Sequence, residues 1–297
     1  MKKSKSLSLG EIIILIILTI FSICSLYPFL NLYIYAFNDG LDSIKGNLFL
    51  WPRKFTLDNI ISALAYKKVI NGVYITILRT LIGTVTHIIC ISSLGYAMTK
   101  RHIIGYKLIS NYFFVVFMFS GGFIPYYLLL KEIHLINTFW VYIIPGLYSY
   151  WNMIIFRSYF DSMPQSIEES AKVDGASYLK IYFHLIIPLA RPVFAAITLF
   201  TAVGHWNDWF AGAFYVKTSA LRPLQTVLQM MINESVSLEQ MAQNSISGST
   251  LTEYAQKITP ASIKQAVFVI TVTPIVMIYP FMQKYFAKGI MLGAVKG

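Results

Sequence analysis

The sequence predicts an all-α, polytopic membrane protein with six transmembrane helices in one domain covering residues 1–297. Of its 297 residues, 56% are hydrophobic and only 12% are charged, whereas roughly a quarter of the residues of a soluble domain are charged. Three long runs contain no Asp, Glu, Lys, Arg or His: Ile12 to Phe37, Leu108 to Leu130 and Ile136 to Phe156. Each is long enough to cross a hydrocarbon core, which takes about 20 apolar residues.

The predicted spans differ in how apolar they are. The six are Ile12 to Phe37, Gly72 to Met98, Leu108 to Leu130, Ile136 to Phe156, Pro192 to Val216 and Gln265 to Gln283. The second span holds Arg79 and His87, and the fifth holds His205 and Asp208. The last contains Pro274 and Pro280, and membrane helices tolerate proline where neighbours satisfy the freed backbone groups.

Basic residues set the expected orientation. The N-terminal segment carries Lys2, Lys3 and Lys5, and the turn after the second span contains Lys100 and Arg101. Because short basic flanks stay on the cytoplasmic side, both termini are expected in the cytoplasm of a bacterial cell. Two long loops, 38–70 and 217–264, then face outward. The second repeats Leu221, Leu224, Leu228 and Met231 at helical spacing, which predicts a helix lying on the membrane or packing on the bundle.

Other function classes have little support in the composition. The net charge of +11 is ordinary for short loops that face an anionic leaflet, and the aromatic residues are not interleaved with basic ones as in a nucleic-acid-binding surface. Cys24 and Cys90 both fall inside spans, where we expect small buried apolar residues. The chain contains no G-x-x-x-x-G-K-[ST] phosphate loop, so any ATPase must be another chain.

The most informative segment is the polar insert from Pro164 to Pro192, within a predicted cytoplasmic loop at 161–191. Ser166 with Glu169 fits a capping box, and Gly175 allows a sharp turn. Ser177 can cap a second helix that runs to Pro188. The insert either rests on the bilayer or docks a partner protein. Its carboxylates favour docking, because an anionic leaflet prefers Lys and Arg.

The spacing in this insert resembles the EAA loop of ABC importer permeases. That pattern is Glu-Ala-Ala, three residues, Gly, nine residues and Ile-x-Leu-Pro, and here it reads Glu169-Ser170-Ala171, Gly175 and Leu185-x-Ile187-Pro188. Further blocks resemble the carbohydrate-uptake branch, in particular the second permease of oligosaccharide importers found with lipoprotein-linked systems in Gram-positive bacteria. They include 120–146, 156–160, GHWNDWF at 204–210, 222–225 and 283–297.

The resemblance implies a mechanism and a set of partners. The helix from Gln165 to Asp174 would be a coupling helix in the cleft of a cytoplasmic ATPase, with Glu169 paired to a basic residue there. The expected coupling residues are Glu168, Glu169, Ser170, Ala171, Asp174, Gly175, Ala176 and Pro188. The expected partners are a second permease, two ATPase subunits that bind ATP and Mg, and an extracellular sugar-binding lipoprotein. This chain itself would bind no cofactor, and its tail at 288–297 would be a flexible arm toward the ATPases.

Ionisable residues at membrane depth are functional candidates. Arg79 could pair with Asp208, snorkel to the interface, face the permease partner or contact substrate. Trp206, Asn207 and Asp208 could bind a sugar, since sugars stack on aromatic rings and hydrogen-bond to amides and carboxylates. Trp206 could instead belong to the aromatic belt at the membrane interface. His205 is expected to be a hydrogen-bonding residue rather than a metal ligand, because no partner shows ligand spacing.

Three alternatives stay open at this point. An ABC importer for another solute, such as a peptide or a phosphate ester, would have a similar loop. An ion-coupled secondary transporter would need a buried acid in mid-span, for which only Asp208 is a candidate, and would leave the Pro164 to Pro192 insert without a role. A membrane-embedded enzyme would show a cluster of His, Asp or Cys within the spans, and the sequence has none.

Overall fold

The computed structural model describes residues 8–244 and 259–294, with backbone only for 235–244 and 281–294. This part of the chain is mostly helical and contains no strand, apart from one isolated bridge between Asn38 and Phe55. The all-α class is therefore confirmed. The basic segment at residues 1–7 and part of the second predicted outer loop, 245–258, lie outside the described residues.

The helices follow one another closely along the chain. In order they are α1 Leu9–Ala36, α2 Gly40–Ile44, α3 Asp58–Ala65, α4 Lys67–Ala97, α5 Tyr106–Met118, α6 Phe123–Glu132, α7 Tyr150–Asp161, α8 Gln165–Val173, α9 Tyr178–Ile181, α10 Ile187–Leu189, α11 Arg191–Asn207, α12 Phe210–Phe214, α13 Leu224–Asn244 and α14 Pro260–Ala294. Short 3₁₀ turns are Phe139–Tyr142, Ile144–Leu147 and Ser219–Leu221, and a π-helical turn, Tyr182–Ile186, joins α9 to α10.

Three of the predicted spans are continuous helices in the structure. Within the described residues, the helices that are long and apolar enough to cross a membrane are Leu9–Ala36, Lys67–Ala97 and Pro260–Pro280. They match the first, second and sixth predicted spans. The last of them includes Pro274, as expected, and α14 continues to Ala294. The predicted flexible arm is thus helical as far as Ala294, which corrects that expectation.

The third predicted span is broken, although it contains no charge. Helices α5 and α6 meet at an angle of 118° across a gap of four residues, 119–122. Gly122 in this gap has φ +80° and ψ −179°, a conformation that essentially only glycine adopts. The prediction of one straight helix from Leu108 to Leu130 was therefore wrong. Lack of charge indicates an apolar environment but does not establish a continuous helix.

The fourth predicted span, Ile136 to Phe156, is likewise not one helix. It consists of two 3₁₀ turns followed by the start of α7. Asn137 has φ +60°, which is costly for most residues, and Pro145 opens the second turn, where its missing N–H does no harm. Both features stop an α-helix from forming before Tyr150.

The fifth predicted span is bent at both ends. Helix α11 begins at Arg191, close to the predicted Pro192, but it ends at Asn207, and α12 follows after Asp208. The segment Tyr178–Leu189 meets Arg191–Phe214 at 83°. The preceding helix runs one residue beyond Pro188 through its π-helical turn. A proline ring cannot sit beside the carbonyl four residues earlier, and a wider turn relieves that clash.

The chain divides into two compact units. The first comprises described residues 8–69, 230–244 and 259–273. Its predicted outer loop, 38–70, is well ordered by a buried polar network. The Asn38 amide donates to the Asp42 carboxylate over 3.2 Å, Arg53 Nε donates to the same oxygen over 2.9 Å, and the Asn59 amide donates to two backbone carbonyls. The loop is therefore folded rather than a simple linker.

The second unit comprises residues 70–229 and 274–294. Its main core packs α4, α7 and the segment from α9 to α11 together. The fully or nearly fully buried residues at its centre are Ile91, Met153, Phe156, Ile181, Ala190 and Ile197. Leu224 and Leu228 of α13 are also buried, and the Leu224 N–H donates to Thr76 Oγ1 over 2.8 Å. This part of the predicted amphipathic helix thus packs on the bundle.

The two cysteines correct another expectation. Cys24 lies on α1 and Cys90 lies on α4, and both are exposed. On α1 only Ile34 and Ala36 are buried by the rest of the chain. The apolar faces of these helices are not covered by other parts of the chain, and cysteines on such faces therefore lie at the surface of the molecule.

Candidate functional site

The polar insert folds as the sequence predicts at its turn. Helix α8, here called the EAA helix, ends in a Schellman motif. The Ala176 N–H donates to the Ala171 carbonyl over 2.9 Å, the Gly175 N–H donates to the Lys172 carbonyl over 3.0 Å, and Gly175 has φ +75°. Ser177 then caps α9 by accepting from the Lys180 N–H. The turn glycine and the second cap are confirmed.

The predicted capping box at the start of the EAA helix was wrong. The helix begins at Gln165 with Pro164 at the N-cap position, and no side chain caps it. Ser166 is therefore already inside the first turn, where its hydroxyl cannot reach the N–H groups that a cap satisfies. Proline at this position fixes φ, which favours entry into the helix without a capping hydrogen bond.

The EAA helix has an attached face and a free face. On the attached face Ala171 and the following Ala176 pack against the core cluster of the second unit. On the free face Val173 is 88% exposed, and Glu169, Ser170 and Asp174 are exposed as well. Glu169 forms no ion pair with any side chain that the structure describes. A free carboxylate beside a free apolar side chain is suited to a protein partner.

Glu168, by contrast, is engaged within the chain. Its carboxylate accepts hydrogen bonds from Lys100, on the turn after α4, and from Lys172 over 2.9 Å. Burial would raise the pKa of Glu168, but the two lysines outweigh it, and the pKa lies below its ordinary value. The hydrogen bond to Glu168 raises the pKa of Lys172. Glu168 is thus held by two lysines, whereas Glu169 forms no ion pair with a described side chain.

A cavity of about 400 Å³ lies within the spans of the second unit. Its lining is mostly apolar, and it is called the polar cavity here because several polar side chains also line it. Arg79 and Asp208, both predicted as pathway residues, line it and contact each other directly. Arg79 is 2% exposed, and its guanidinium donates to the Asp208 carboxylate over 2.6 Å and to the Asp208 carbonyl over 2.9 Å. The Arg79 guanidinium also lies 4.4 Å from the centre of the Tyr142 ring. Of the predicted roles for Arg79, pairing with Asp208 is the one that the structure contains.

A second polar cluster in this cavity was not predicted. His87 Nδ1 lies 2.6 Å from the Gly146 carbonyl, and His87 Nε2 lies 2.9 Å from the Asn152 amide nitrogen. This geometry fits a proton on Nδ1 with Nε2 accepting from the amide. Gly146 and Asn152 belong to the broken fourth span, and the carbonyl of Gly146 in the second 3₁₀ turn supplies the acceptor. A prediction that treats the fourth span as one unbroken helix gives no indication of this hydrogen bond.

The predicted sugar-binding cluster is divided by the helix end. Asp208 and His205 line the cavity, whereas Trp206 and Asn207 do not. Asn207 is exposed at the last position of α11, and Trp206 is half-buried. Because successive helical residues point about 100° apart, neighbours in sequence cannot all face one cavity. Contact of Trp206 and Asn207 with a sugar stays a prediction.

The His205 ring fits closely against two glycines. A β-carbon added to Gly83 would lie 2.6 Å from His205 Cε1 and Nε2, and one added to Gly146 would lie 3.5 Å from Cε1. The ring thus occupies space that side chains of α4 would otherwise take. No group of three or more His, Cys, Asp or Glu that could hold a metal occurs among the described residues.

Gly83→Ala is expected to lower the stability of the chain, because its methyl group collides with the His205 ring. Overpacking of this kind costs about 1–3 kcal/mol. The apparent melting temperature of the purified chain in detergent measures the effect. Gly204→Ala is the matched control: a β-carbon there meets nothing within 4 Å, so the helix should be unchanged or stabilised by up to about 1 kcal/mol. Equal melting temperatures for the two variants would contradict the packing argument.

Comparison with known proteins identifies the class of the chain. Residues 8–292 match the family model described as "Binding-protein-dependent transport system inner membrane component". The chain is 35% identical to Protein LplC of Bacillus subtilis (strain 168), over 92% of this chain and 90% of that protein. It is 33% identical to the polygalacturonan/rhamnogalacturonan transport system permease protein YtcP of the same organism, over 94% and 96%.

A solved structure has the same fold. A bacterial ABC transporter involved in the import of the acidic polysaccharide alginate matches with a TM-score of 0.82 and 28% identity, over 95% of this chain and all of that one. The resemblance to ABC importer permeases is therefore confirmed, including their branch named for oligosaccharides. With the match covering nearly its whole length, the chain belongs to the family of binding-protein-dependent transport system inner membrane components.

Proposed function

We propose that this chain is the transmembrane permease subunit of an ATP-driven importer for an oligosaccharide, and that the EAA helix couples it to an ATPase. The observation that carries the coupling proposal is the free face of that helix, where Glu169 and Val173 are exposed beside the positive-φ turn at Gly175. A helix that ends in a Schellman motif and is anchored on one face can transmit a displacement from a partner, which a loose loop cannot do.

The names of the relatives support a sugar as the solute. Besides the polygalacturonan/rhamnogalacturonan permease, they include permeases named for arabinooligosaccharides, galactooligosaccharides and maltodextrin, each 23–25% identical to this chain. The polar cavity has suitable chemistry, since Arg79, Asp208, His87 and Asn152 offer both donors and acceptors for hydroxyl groups. We place half of the translocation pathway here and the other half on a second permease.

The remaining parts of the importer follow from the same proposal. Two ATPase subunits would bind ATP and Mg on the cytoplasmic side, and an extracellular lipoprotein would deliver the sugar to the folded loop at 38–70. Both termini of this chain would then be cytoplasmic, in the plasma membrane of a bacterium. ATP-driven closure of the ATPases would move the EAA helices and open the pathway alternately to each side.

Cysteine cross-linking tests the coupling proposal. In a background with Cys24→Ser and Cys90→Ser, Val173→Cys should cross-link to an ATPase subunit through a short reagent that joins the introduced thiol to a lysine amine of the ATPase. Leu50→Cys is the control, because Leu50 is also well exposed, at 64%, but lies in the loop proposed to face outward. A complex that retains its ATPases without any cross-link at residue 173, or with an equal yield at residue 50, would refute the proposal.

A further inference from the structure

The inner face of the EAA helix carries an ion pair to a different part of the chain. Glu168 and Lys100 are 68 residues apart, and their side chains are only 17% and 14% exposed. Lys172 also contacts Glu168, but it is one turn away on the same helix and is 40% exposed. Among the described ion pairs of the EAA helix, Lys100–Glu168 alone joins it to another element.

Aromatic rings hold the two lysines in place. Lys100 Nζ lies 4.3 Å from the centre of the Tyr96 ring at the end of α4, and Lys172 Nζ lies 4.6 Å from the centre of the Tyr178 ring at the start of α9. An ammonium over an aromatic face is stabilised by the ring quadrupole. The pair is thus embedded between the helix before it and the helix after it, rather than formed by two mobile surface side chains.

Lys100 also lies three residues after the end of α4, the helix that lines the polar cavity. Helix α4 runs without interruption from Lys67 to Ala97 and carries both Arg79 and His87. At 1.5 Å per residue, Arg79 lies about 27 Å along the helix axis from Ala97. A displacement applied to the last turn of a packed helix moves the rest of it, because packed interiors are not compressible.

We propose that the Lys100–Glu168 ion pair is the link through which the EAA helix moves α4, so that Glu168 is a positioning residue within this chain and not a contact of the ATPase. The proposal rests on the proposed function and assigns different tasks to adjacent acids. Glu169 faces the ATPase, and Glu168 fixes the helix to the span that carries Arg79. A movement of the EAA helix would thereby displace α4 and the cavity that α4 lines.

The test uses the whole importer, with both permeases, the ATPases and the binding protein, reconstituted in vesicles. Lys100→Met should leave the ATPases bound and hydrolysing ATP, while sugar uptake per ATP falls about tenfold, the range of a usual coupling energy. Lys100→Arg should keep most of the ratio, because it keeps the charge. The charge-swapped pair Lys100→Glu with Glu168→Lys should recover at least half of the loss seen in either single reversal.

Lys107→Met is the matched control, since Lys107 is an exposed lysine shortly after the same turn and has no ion pair among the described side chains. It should keep the wild-type ratio. Uptake per ATP that is unchanged in Lys100→Met, or lost equally in Lys107→Met, overturns the link. So does a swapped pair that assembles but stays uncoupled. A missing cross-link at residue 173 would instead refute ATPase docking itself, so the two failures are distinguishable.

Discussion

Gly175→Trp is expected to abolish coupled sugar uptake, by at least a hundredfold, and to release ATPase subunits from the membrane. Two effects combine at this position. The backbone has φ +75°, which costs an L-residue about 1–2 kcal/mol. A β-carbon there meets nothing within 4 Å in this chain, so any additional steric effect of the large ring must come from a bound partner. Membrane-bound ATPase and uptake of labelled oligosaccharide measure the two outcomes.

The variant Gly175→Asn separates the effect of backbone strain from the effect of side-chain size. Asparagine tolerates the left-handed region better than other side chains and is small. It should retain coupling within about tenfold, because at most about 1.4 kcal/mol of strain is introduced. If tryptophan is no worse than asparagine, nothing occupies the space in front of Gly175, and the proposed docking of the EAA helix is wrong. In the isolated chain the melting temperature of the tryptophan variant should be only slightly lower than that of the asparagine variant, because backbone strain at φ +75° is all that differs between them there.

The turn at Gly175 could be predicted from sequence because its cause is local. A glycine after a short helix, followed by a serine, specifies the Schellman turn and the next N-cap within a few residues. The broken spans were missed because an apolar run reports the environment of a segment and not its dihedral angles. Gly122 and Asn137 stop helices there through positive φ values. A search for spans that considers charge alone overlooks such residues, because Gly and Asn do not interrupt an uncharged run.

The polar contacts of the cavity depend on topology, which local patterns do not contain. Arg79 and Asp208 are 129 residues apart, and their pairing was one of several roles weighed for Arg79. The acceptor for His87 is the Gly146 carbonyl, which lies in a 3₁₀ turn of the fourth span rather than in an α-helix. The sequence thus identifies the polar residues that are costly to place in a membrane. Their hydrogen-bond partners depend on where the helices break, which the sequence does not show.

Removing the carboxylate of the Arg79–Asp208 pair is expected to be the most destabilising single change in the cavity. Asp208→Asn leaves a guanidinium that is 2% exposed facing only neutral partners, namely the amide oxygen, the backbone carbonyl of residue 208 and the Tyr142 ring. Breaking a buried pair in this way costs about 3–5 kcal/mol, because an uncompensated charge stays buried. Thermal unfolding of the purified chain in detergent should show a clear loss of melting temperature, and less of the chain should accumulate in the membrane.

Arg79→Met should destabilise the chain less than Asp208→Asn does. This difference between the two variants is the sharper test. The Asp208 side chain is 32% exposed and also accepts from the Ala211 N–H over 3.1 Å, so without Arg79 it keeps a donor and access to solvent. The double variant Arg79→Met with Asp208→Asn buries no charge and should be more stable than Asp208→Asn alone, since the interaction energy of a contacting pair is not additive. An Arg79→Met variant less stable than Asp208→Asn would mean that the carboxylate, and not the guanidinium, is the group that the fold must neutralise.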